Sequence, residues 1–461
     1  MAKHIHFIEI AGNTMSGLAM AAKAQGNTVT GTDENAYPPT TDYLDKAGIT
    51  WWREASPEHV QGADLVVISG AYPATHPEIM AAQKANILVQ PFAQFWGELI
   101  SNDYSIVVSG THGKTTTSAL LTWILEVADK HPDYLIGVRP KDLETSVRFN
   151  ASSVAVSEGD EYQASQLAPT SKFSFYHPDM LVVTSVEMDH PDLFKDLDDL
   201  EKRFADLVSS LAPDAKLFLC ADDPGAAKLS AAAKCDLATY GFNGGDWRAS
   251  AVHFSATGIS FTLAKGPQEL GEITVGLFGR HNILNALGAV AAASTYGADW
   301  SQIVKAAASF KGTARRFSIL TPTAANVRVI DDYAHHPTAA RATIEAAKLH
   351  FHGRVIAVYQ PHTYSRTKSL LKEYQQAFIG ADATFLLPVD GARERHLEAT
   401  VSSEDIAAKA MGKVEVIKDR EELVGAVLGA AQPGDTVLVM TVTGYNELAE
   451  ELAEKLQGKF K

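Results

Sequence analysis

A chain of 461 residues, 46% hydrophobic and 21% charged, is too long for one ordinary core and too apolar to stay disordered, so roughly two to four globular domains are expected. Lys+Arg 40 against Asp+Glu 55 gives a formal net charge of -15, a surface that repels duplex DNA and anionic lipid; neither nucleic acid nor a membrane is expected as a partner. Cys220 and Cys235 have no metal-type spacing and suit a reducing compartment.

The first residues, "MAKHIHFIEIAGNT", carry Glu9 inside the apolar run and do not read as a secretory leader, which places the protein in the cytoplasm. Residues 4 to 33 read as strand, helix and strand. Met15, Leu18, Ala19 and Ala22 recur at helical spacing, Gly12 and Ser16 sit at the turn, and Gly26 closes the helix. Asp33 ends the second strand, where an acid in such units can meet a ribose or a base. "ADLVVISGA", with Ser69 near its end, is a buried strand, and "PEIMAAQKA" is a helix. This alternation predicts a parallel sheet. A polar break, "ISNDYS", precedes the next unit, so a domain boundary is placed there.

"IVVSGTHGKTTTSALL" then gives a strand, a glycine loop and a helix. Gly110 and Gly113 allow backbone N–H groups to close around an anion at the positive end of the helix, with Thr111, His112 and Thr116 completing the loop. Lys114 would neutralise phosphate oxygens and the Thr115 hydroxyl can ligate magnesium. The loop is two residues shorter than the usual G-x-x-x-x-G-K-[ST], which disfavours an ordinary kinase or GTPase.

Two later strands end in acids and imidazole. "SEGDE" supplies Glu158, Asp160 and Glu161; "EMDHPD" supplies Glu187, Asp189, His190 and Asp192. Hard cations take such oxygen ligands and keep several waters. "GRHNILNA" places His281, Asn282 and Asn285 at a helix start, where Asn is often only a cap. In "ARRF", Arg315 and Arg316 are adjacent and point apart, so at most one reaches a given phosphate. "DDYAHHPT" contributes Asp331, Asp332, Tyr333, His335 and His336, and "QPHTYSRT" contributes His362, Tyr364 and Arg366. No ligand spacing supports zinc there. A small zwitterion whose carboxylate pairs with Arg366 fits these strand ends better.

Six motifs in this order, "GTHGKTTT", "EGDE", "EMDH", "GRHNILNA", "ARRF" and "DDYAHHPT", resemble those of the Mur ligases, and the resemblance covers essentially the whole chain. That family makes amide bonds in peptidoglycan synthesis at the expense of ATP. The resemblance implies an α/β protein of three domains: a Rossmann-like UDP-sugar domain over 1–104, a central P-loop ATPase-type α/β domain over 105–313, and a Rossmann-like C-terminal domain over 314–461. It implies ATP and Mg2+ as cofactors. Lys114, His190 and Arg316 would act on the transferring phosphoryl group, with Thr115, Glu158 and His190 about the metal. Asn282 would meet adenine and Asp332 the nucleotide ribose. Gly12, Ser16, Asp33 and Ser69 would bind the UDP-sugar, and Tyr333, His335, His362 and Arg366 the amine acceptor.

"QPHTYSRT" and "DGARE" are similar to members that add L-alanine to UDP-N-acetylmuramate. "GLAMAAKAQGNTVTGTDENAYPP" and "SKFSFYHPDMLVVTSVEMDHPDLF" are similar to members that attach a recycled L-Ala-γ-D-Glu-meso-diaminopimelate tripeptide to the same sugar. The third domain should decide the amine, so L-alanine is expected. The chain departs from the family where Glu9, Ala11 and Thr14 stand at positions commonly Gly, and where Ser185 stands for a common Asn. A rival reading is an ATPase switch that passes phosphate only to water.

Overall fold

The alternating strand and helix runs fold into three large sheets, beside a two-stranded antiparallel ribbon of Gln163–Ser165 and Ala168–Ser171. The computed structural model describes residues 2–38, 40–70, 73–191, 193–320, 322–442, 445 and 447–460, so Asp192 lies outside the described residues. The first sheet has five parallel strands, in the spatial order Thr50–Trp52, Thr28–Thr32, His4–Ile8, Leu65–Ile68 and Leu88–Pro91. Its order reverses beside His4–Ile8, and the helix Asn13–Ala24 follows that strand. A doubly wound sheet binds its ligands at such a reversal.

The second sheet has ten strands. Tyr104–Ser109 lies inside it, between Met180–Val183 and Val154–Gly159, parallel to both. These strands are covered on both faces, which is why they read as unbroken apolar runs. Tyr104 already pairs with Val154, so this sheet begins at the last residue assigned to the first domain from the sequence. The antiparallel strands Trp247–Ser255, Gly258–Lys265 and Gln268–Val275 extend one edge. The third sheet has six strands, with Arg328–Asp332, Thr436–Met440 and Val355–Tyr359 at its centre, all parallel. Among the described residues no helix is long and apolar enough to cross a membrane.

The two seams between the sheets differ in kind. A single apolar cluster runs from Ile5 and Phe7 of the first sheet through Trp96 to Val107 and Leu181 of the second. Trp96 Nε1 donates to Ser157 Oγ across it at 2.8 Å, and Gly17 packs so closely on Val147 that a Cβ there would lie 2.6 Å from Val147 Cβ. The third sheet instead has its own clusters on its two faces, built from residues between Phe317 and Leu456, and among the described residues the partly buried Phe278 reaches in from the second unit. Its seam with the central domain adds the Phe254–His350 ring contact at 5.2 Å and the close packing of Gly279 on Ala346, and is largely polar beyond these. His350 Nε2 accepts from Gly279 N, and Lys141 Nζ donates to Ser318 Oγ.

Candidate active site

The glycine loop leaves the carboxyl end of strand Tyr104–Ser109 and enters the helix Lys114–Val127. Both glycines are required. Gly110 has φ +133 and an added Cβ would sit 2.2 Å from Thr184 Oγ1; Gly113 has φ +84 and would meet Asn285 Oδ1 at 2.2 Å. The loop is fastened from outside: Ser185 O accepts from Thr111 N at 2.8 Å and Ser185 Oγ from His112 N at 2.9 Å. The residue that departs from the family pattern therefore holds the loop.

Thr115 Oγ1 donates to Glu158 Oε1 at 2.6 Å, while Glu158 Oε2 accepts from Gly137 N at 2.7 Å. Lys114 Nζ donates to Gly110 O at 2.6 Å and to Glu161 Oε2 at 2.9 Å, with Asp160 Oδ1 at 3.8 Å. Burial alone would disfavour the ammonium, but Glu161, Asp160 and Glu158 more than offset it and hold the lysine pKa above its ordinary value. Glu158 is pushed up by burial and then by Asp160. Glu161 is held down despite burial, by Lys114 and His190.

This donor set fits a hard cation. A hydroxyl and several carboxylate oxygens converge, and the buried Glu161 Oε1 has no hydrogen-bond partner, with His190 Nε2 3.5 Å away. His190 itself sits at φ +55, an unusual backbone for a non-glycine residue. Its Nδ1 is 2.9 Å from Arg366 Nη2 and 2.7 Å from the Tyr162 hydroxyl. Arginine can only donate, so Nδ1 accepts and the proton lies on Nε2, facing Glu161 at 3.5 Å and Asp189 at 3.3 Å. In this arrangement His190 backs the carboxylates, and its Nδ1 lone pair, taken by Arg366 and Tyr162, is not offered to a cation.

Arg366 is 3% exposed and crosses from the third sheet to the second. Its Nε donates to Asp189 Oδ1 at 2.6 Å and its Nη1 lies 3.1 Å from His362 Nδ1. Burial opposes the Asp189 charge, yet Arg366 beside it holds the carboxyl well below the usual range. The guanidinium expected to meet a free carboxylate thus already holds one from its own chain. His335 Nδ1 is 2.8 Å from Tyr333 O, so it carries the proton and leaves Nε2 as an acceptor. Burial, Arg366 and His362 push its pKa well down, keeping the ring neutral. The His335 and His362 rings are 5.2 Å apart.

The adjacent arginines do point apart. Arg315 bonds Asp331 and the carbonyls of Thr441 and Val442, whereas Arg316 lines a cavity with Thr116, Phe278, Asn282, Thr313 and Phe317. Asn282 Nδ2 donates to Phe278 O at 2.7 Å and Asn282 Oδ1 accepts from Asn285 Nδ2 at 2.9 Å. Both oxygens of Asp332 accept backbone amides, from Phe317 and Ala334, each at 2.7 Å.

At the first sheet, Gly12 caps the helix Asn13–Ala24 and the Ser16 hydroxyl bonds Asn13 O at 3.2 Å. Asp33 Oδ2 accepts from Ala11 N at 3.0 Å and Oδ1 from Asn35 N at 2.9 Å. Ser69 Oγ donates to Glu9, which takes φ +68 where glycine is favoured. Burial raises the Glu9 pKa. These residues are gathered at one strand edge. Lys172 spans toward them, 3.0 Å from Asp160 and over the rings of Phe92 and Tyr162.

Sequence reasoning assigned no role to Glu161 as partner of Lys114, to Asp189 as partner of Arg366, to Tyr162, or to Lys172. Glu161 and Asp189 lie inside the acidic runs already quoted. Nothing local marks the other two.

Comparison with known proteins covers all three units. Residues 4–104 match the family described as "Mur ligase family, catalytic domain", residues 108–293 the "Mur ligase middle domain", and residues 315–441 the "Mur ligase, glutamate ligase domain". The UDP-N-acetylmuramate–L-alanine ligase of Rubrobacter xylanophilus is 36% identical over 98% of this chain and 100% of its own. That of Clostridium acetobutylicum is 37% identical over 86% and 85%. Among solved structures, a UDP-N-acetylmuramate-alanine ligase of Thermotoga maritima matches 99% of this chain and 100% of its own with a TM-score of 0.79 at 24% identity, a likeness of fold. A murein peptide ligase of Psychrobacter arcticus matches 100% of both with a TM-score of 0.73 at 27% identity.

Proposed function

The chain belongs to the Mur ligase family, an ATP-dependent family, and we propose from that premise that it joins L-alanine to the lactyl carboxylate of UDP-N-acetylmuramate. The observation that carries this reading is one run of contacts. It leads from Lys114 through Glu161 and His190 to Arg366 and His362, so the phosphate loop and the C-terminal imidazole–guanidinium group share one cleft.

A carboxylate and an amine do not condense unaided, because oxide is a poor leaving group. The lactyl carboxylate attacks the γ-phosphate of ATP, the bond to the β-phosphate oxygen breaks, and ADP leaves. The amine then attacks the acyl carbon, inorganic phosphate departs, and the amide forms as the nitrogen loses its proton. Lys114, from the loop, and Arg316, from the cavity wall, face the charge on the transferring group. Thr115 and Glu158, with Glu161 near them, would hold Mg2+, which supplies charge neutralisation on phosphate oxygens. Lys114 fixes the Glu161 carboxylate, and His190 stands behind it. Asn282 borders the adenine pocket, with Asp332 holding the loop around Phe317 beside it.

His335 offers the ammonium of the incoming amino acid a neutral acceptor, while the Nη edge of Arg366, His362 and Tyr333 receive its carboxylate. Gly12, Ser16, Asp33 and Ser69 edge the cleft where the UDP-sugar enters. Docking of the third sheet excludes water from the acyl phosphate.

A recycled tripeptide is the second candidate acceptor, favoured by the likeness to murein peptide ligase and by the stretches "GLAMAAKAQGNTVTGTDENAYPP" and "SKFSFYHPDMLVVTSVEMDHPDLF". Release of ADP, followed with L-alanine, glycine, L-serine and the tripeptide, each with and without UDP-N-acetylmuramate, tests both. The expected result is release that needs both the sugar nucleotide and L-alanine. Release indifferent to them would make the protein an ATPase switch, and preference for the tripeptide would install the second reading.

A further inference from the structure

Glu187 stands between the phosphate loop and the third sheet and touches both. Its Oε2 is 2.8 Å from His112 Nε2, and its Oε1 accepts from Thr338 Oγ1 at 2.6 Å. Its backbone is tied to the loop as well: Thr111 Oγ1 donates to Glu187 O and accepts from Glu187 N, each at 3.0 Å. Thr338 lies in the first turn of the helix Pro337–His350, so one carboxylate joins the loop that would surround a triphosphate to the opening turn of a C-terminal helix.

His336, the cap of that helix, completes a group with the donor set of a metal site. Ligand atoms of His112, Glu187 and His336 lie within 4.8 Å of one another. Both His336 nitrogens are committed, however. Nδ1 accepts from Thr338 N at 3.2 Å, so Nε2 carries the proton and donates to Met188 O at 3.3 Å. Burial and then His112 lower its pKa to about 4, which keeps the ring neutral with no lone pair to spare. The group is built to be hydrogen-bonded.

We propose that Glu187 is a positioning residue that couples the phosphate loop to docking of the C-terminal domain, through His112 on one side and Thr338 on the other. The coupling rests on the reading above, that a nucleotide fills the loop. Phosphate held by residues 110–115 fixes His112; His112 fixes the rotation of the Glu187 carboxylate; and that rotation sets where Thr338 finds its acceptor. The seam can be worked this way because the third sheet keeps its own apolar clusters and meets the central domain through polar bonds. The apolar contact to be broken in parting them is small, chiefly Phe278 stacked on Phe317 at 4.8 Å.

The test compares Thr338→Val, Thr338→Ser, Glu187→Ala, Glu187→Gln and the double variant His112→Ala/Thr338→Val. Radius of gyration is measured by X-ray scattering with and without a non-hydrolysable ATP analogue, beside analogue affinity and steady-state ADP release. Thr338→Val and Glu187→Ala are expected to bind the analogue yet lose compaction, with kcat falling about tenfold or more, the worth of a hydrogen bond to a charged acceptor. Thr338→Ser restores the hydroxyl and is the folding control. Glu187→Gln keeps both bonds, its amide oxygen accepting from Thr338 and its amide N–H donating to His112. With His112→Ala measured beside Thr338→Val to complete the cycle, the double variant should be no worse than the worse of these two single variants.

The proposal falls if the double variant shows the product of two independent losses, if Thr338→Val compacts normally, or if the parent protein does not compact with the analogue. Absence of ADP release with every acceptor, while compaction is still lost in Thr338→Val, would sink the ligase reading and leave the coupling standing.

Discussion

Replacing Lys114 by Met removes a cation from a pocket where Glu161 is 1% exposed and Asp160 and Glu158 lie close by. Breaking a buried pair from one side costs about 3–5 kcal/mol, because the partner charge is left without compensation. For a domain of this size that is a fall in Tm of roughly 6–20 °C. The cost has a pH signature. In the parent, Glu161 is held below its ordinary pKa, so its contribution is present above the ordinary carboxylate range and is lost as pH falls. Without Lys114, burial is left to push the same carboxyl up, and stability instead declines as pH rises through that range. Parent and variant should therefore differ least near pH 4 and most near pH 8. The double variant Lys114→Met/Glu161→Gln removes the orphaned charge and should regain most of the lost Tm. It should still release ADP about a thousandfold more slowly, since no ammonium faces the phosphoryl group. Scanning calorimetry at the two pH values and ADP release read the two effects apart. Recovery of turnover in the double variant would refute the reasoning, for it would mean that Lys114 serves only to neutralise Glu161. An unchanged Tm at pH 8 in the single variant would refute the burial argument.

Four further outcomes are expected. Arg366→Lys keeps the charge but cannot span Asp189, His190 and His362, so the KM for the amino acid should rise about tenfold while that for ATP stays within about twofold, read by ADP release. Asp103, raised to about 6 by burial and then by Asp133, penalises the fold progressively as pH climbs from its ordinary value through 6; Asp103→Asn should stabilise by about 1–3 kcal/mol at pH 8 and by almost nothing at pH 4, in urea titrations. Glu78 is buried, and its bonds to His6, Thr32 and the Ser56 amide overcome that burial to bring its pKa to about 2. Its contribution is present above the ordinary carboxylate pKa and lost as pH falls toward 2, so Glu78→Gln should flatten the drop in Tm between pH 5 and 3. Gly17→Ala drives a methyl into Val147 and should cost about 1–3 kcal/mol by the same titrations; a neutral result would place the first seam wrongly.

What could be read from the chain was what is local in it. The phosphate loop announces itself because strand, glycines, lysine and threonine are contiguous, and the two glycines are fixed by positive φ. Adjacency suggested that Arg315 and Arg316 would take different partners, and they do, although both guanidinium groups also lie over the Tyr333 ring. The partner of Arg366 did not follow, because Asp189 is 177 positions away and only the docking of two sheets brings them together. Pairing Arg366 with a substrate carboxylate was a sound use of residue type, but it could not foresee that the chain supplies a carboxylate of its own. Ser185 is the reverse case. As a departure from a motif it looked like a weakness, yet its hydroxyl and carbonyl are what hold the loop amides.

The contrast between the two seams bears on how such a reaction can run. An acyl phosphate survives only where water is kept out, yet ATP, a sugar nucleotide and an amino acid must all enter and their products leave. An apolar seam would close the cleft well, but reopening it would expose hydrocarbon at about 25 cal/mol for each Å². A seam of hydrogen bonds exchanges its partners for water at far lower net cost, near 1 kcal/mol a bond. The chain puts the apolar seam between the first and second sheets, where the sugar nucleotide would need a fixed frame for its carboxylate. It puts the polar seam between the second and third, where Arg366, His336 and Thr338 meet the consecutive residues Glu187 to His190. Filling that polar seam with hydrocarbon, as Thr338→Leu with Glu187→Leu would do, should raise Tm while slowing product release. Loss of stability in that pair, with release unchanged, would show that the seam's polarity serves the fold and not the turnover.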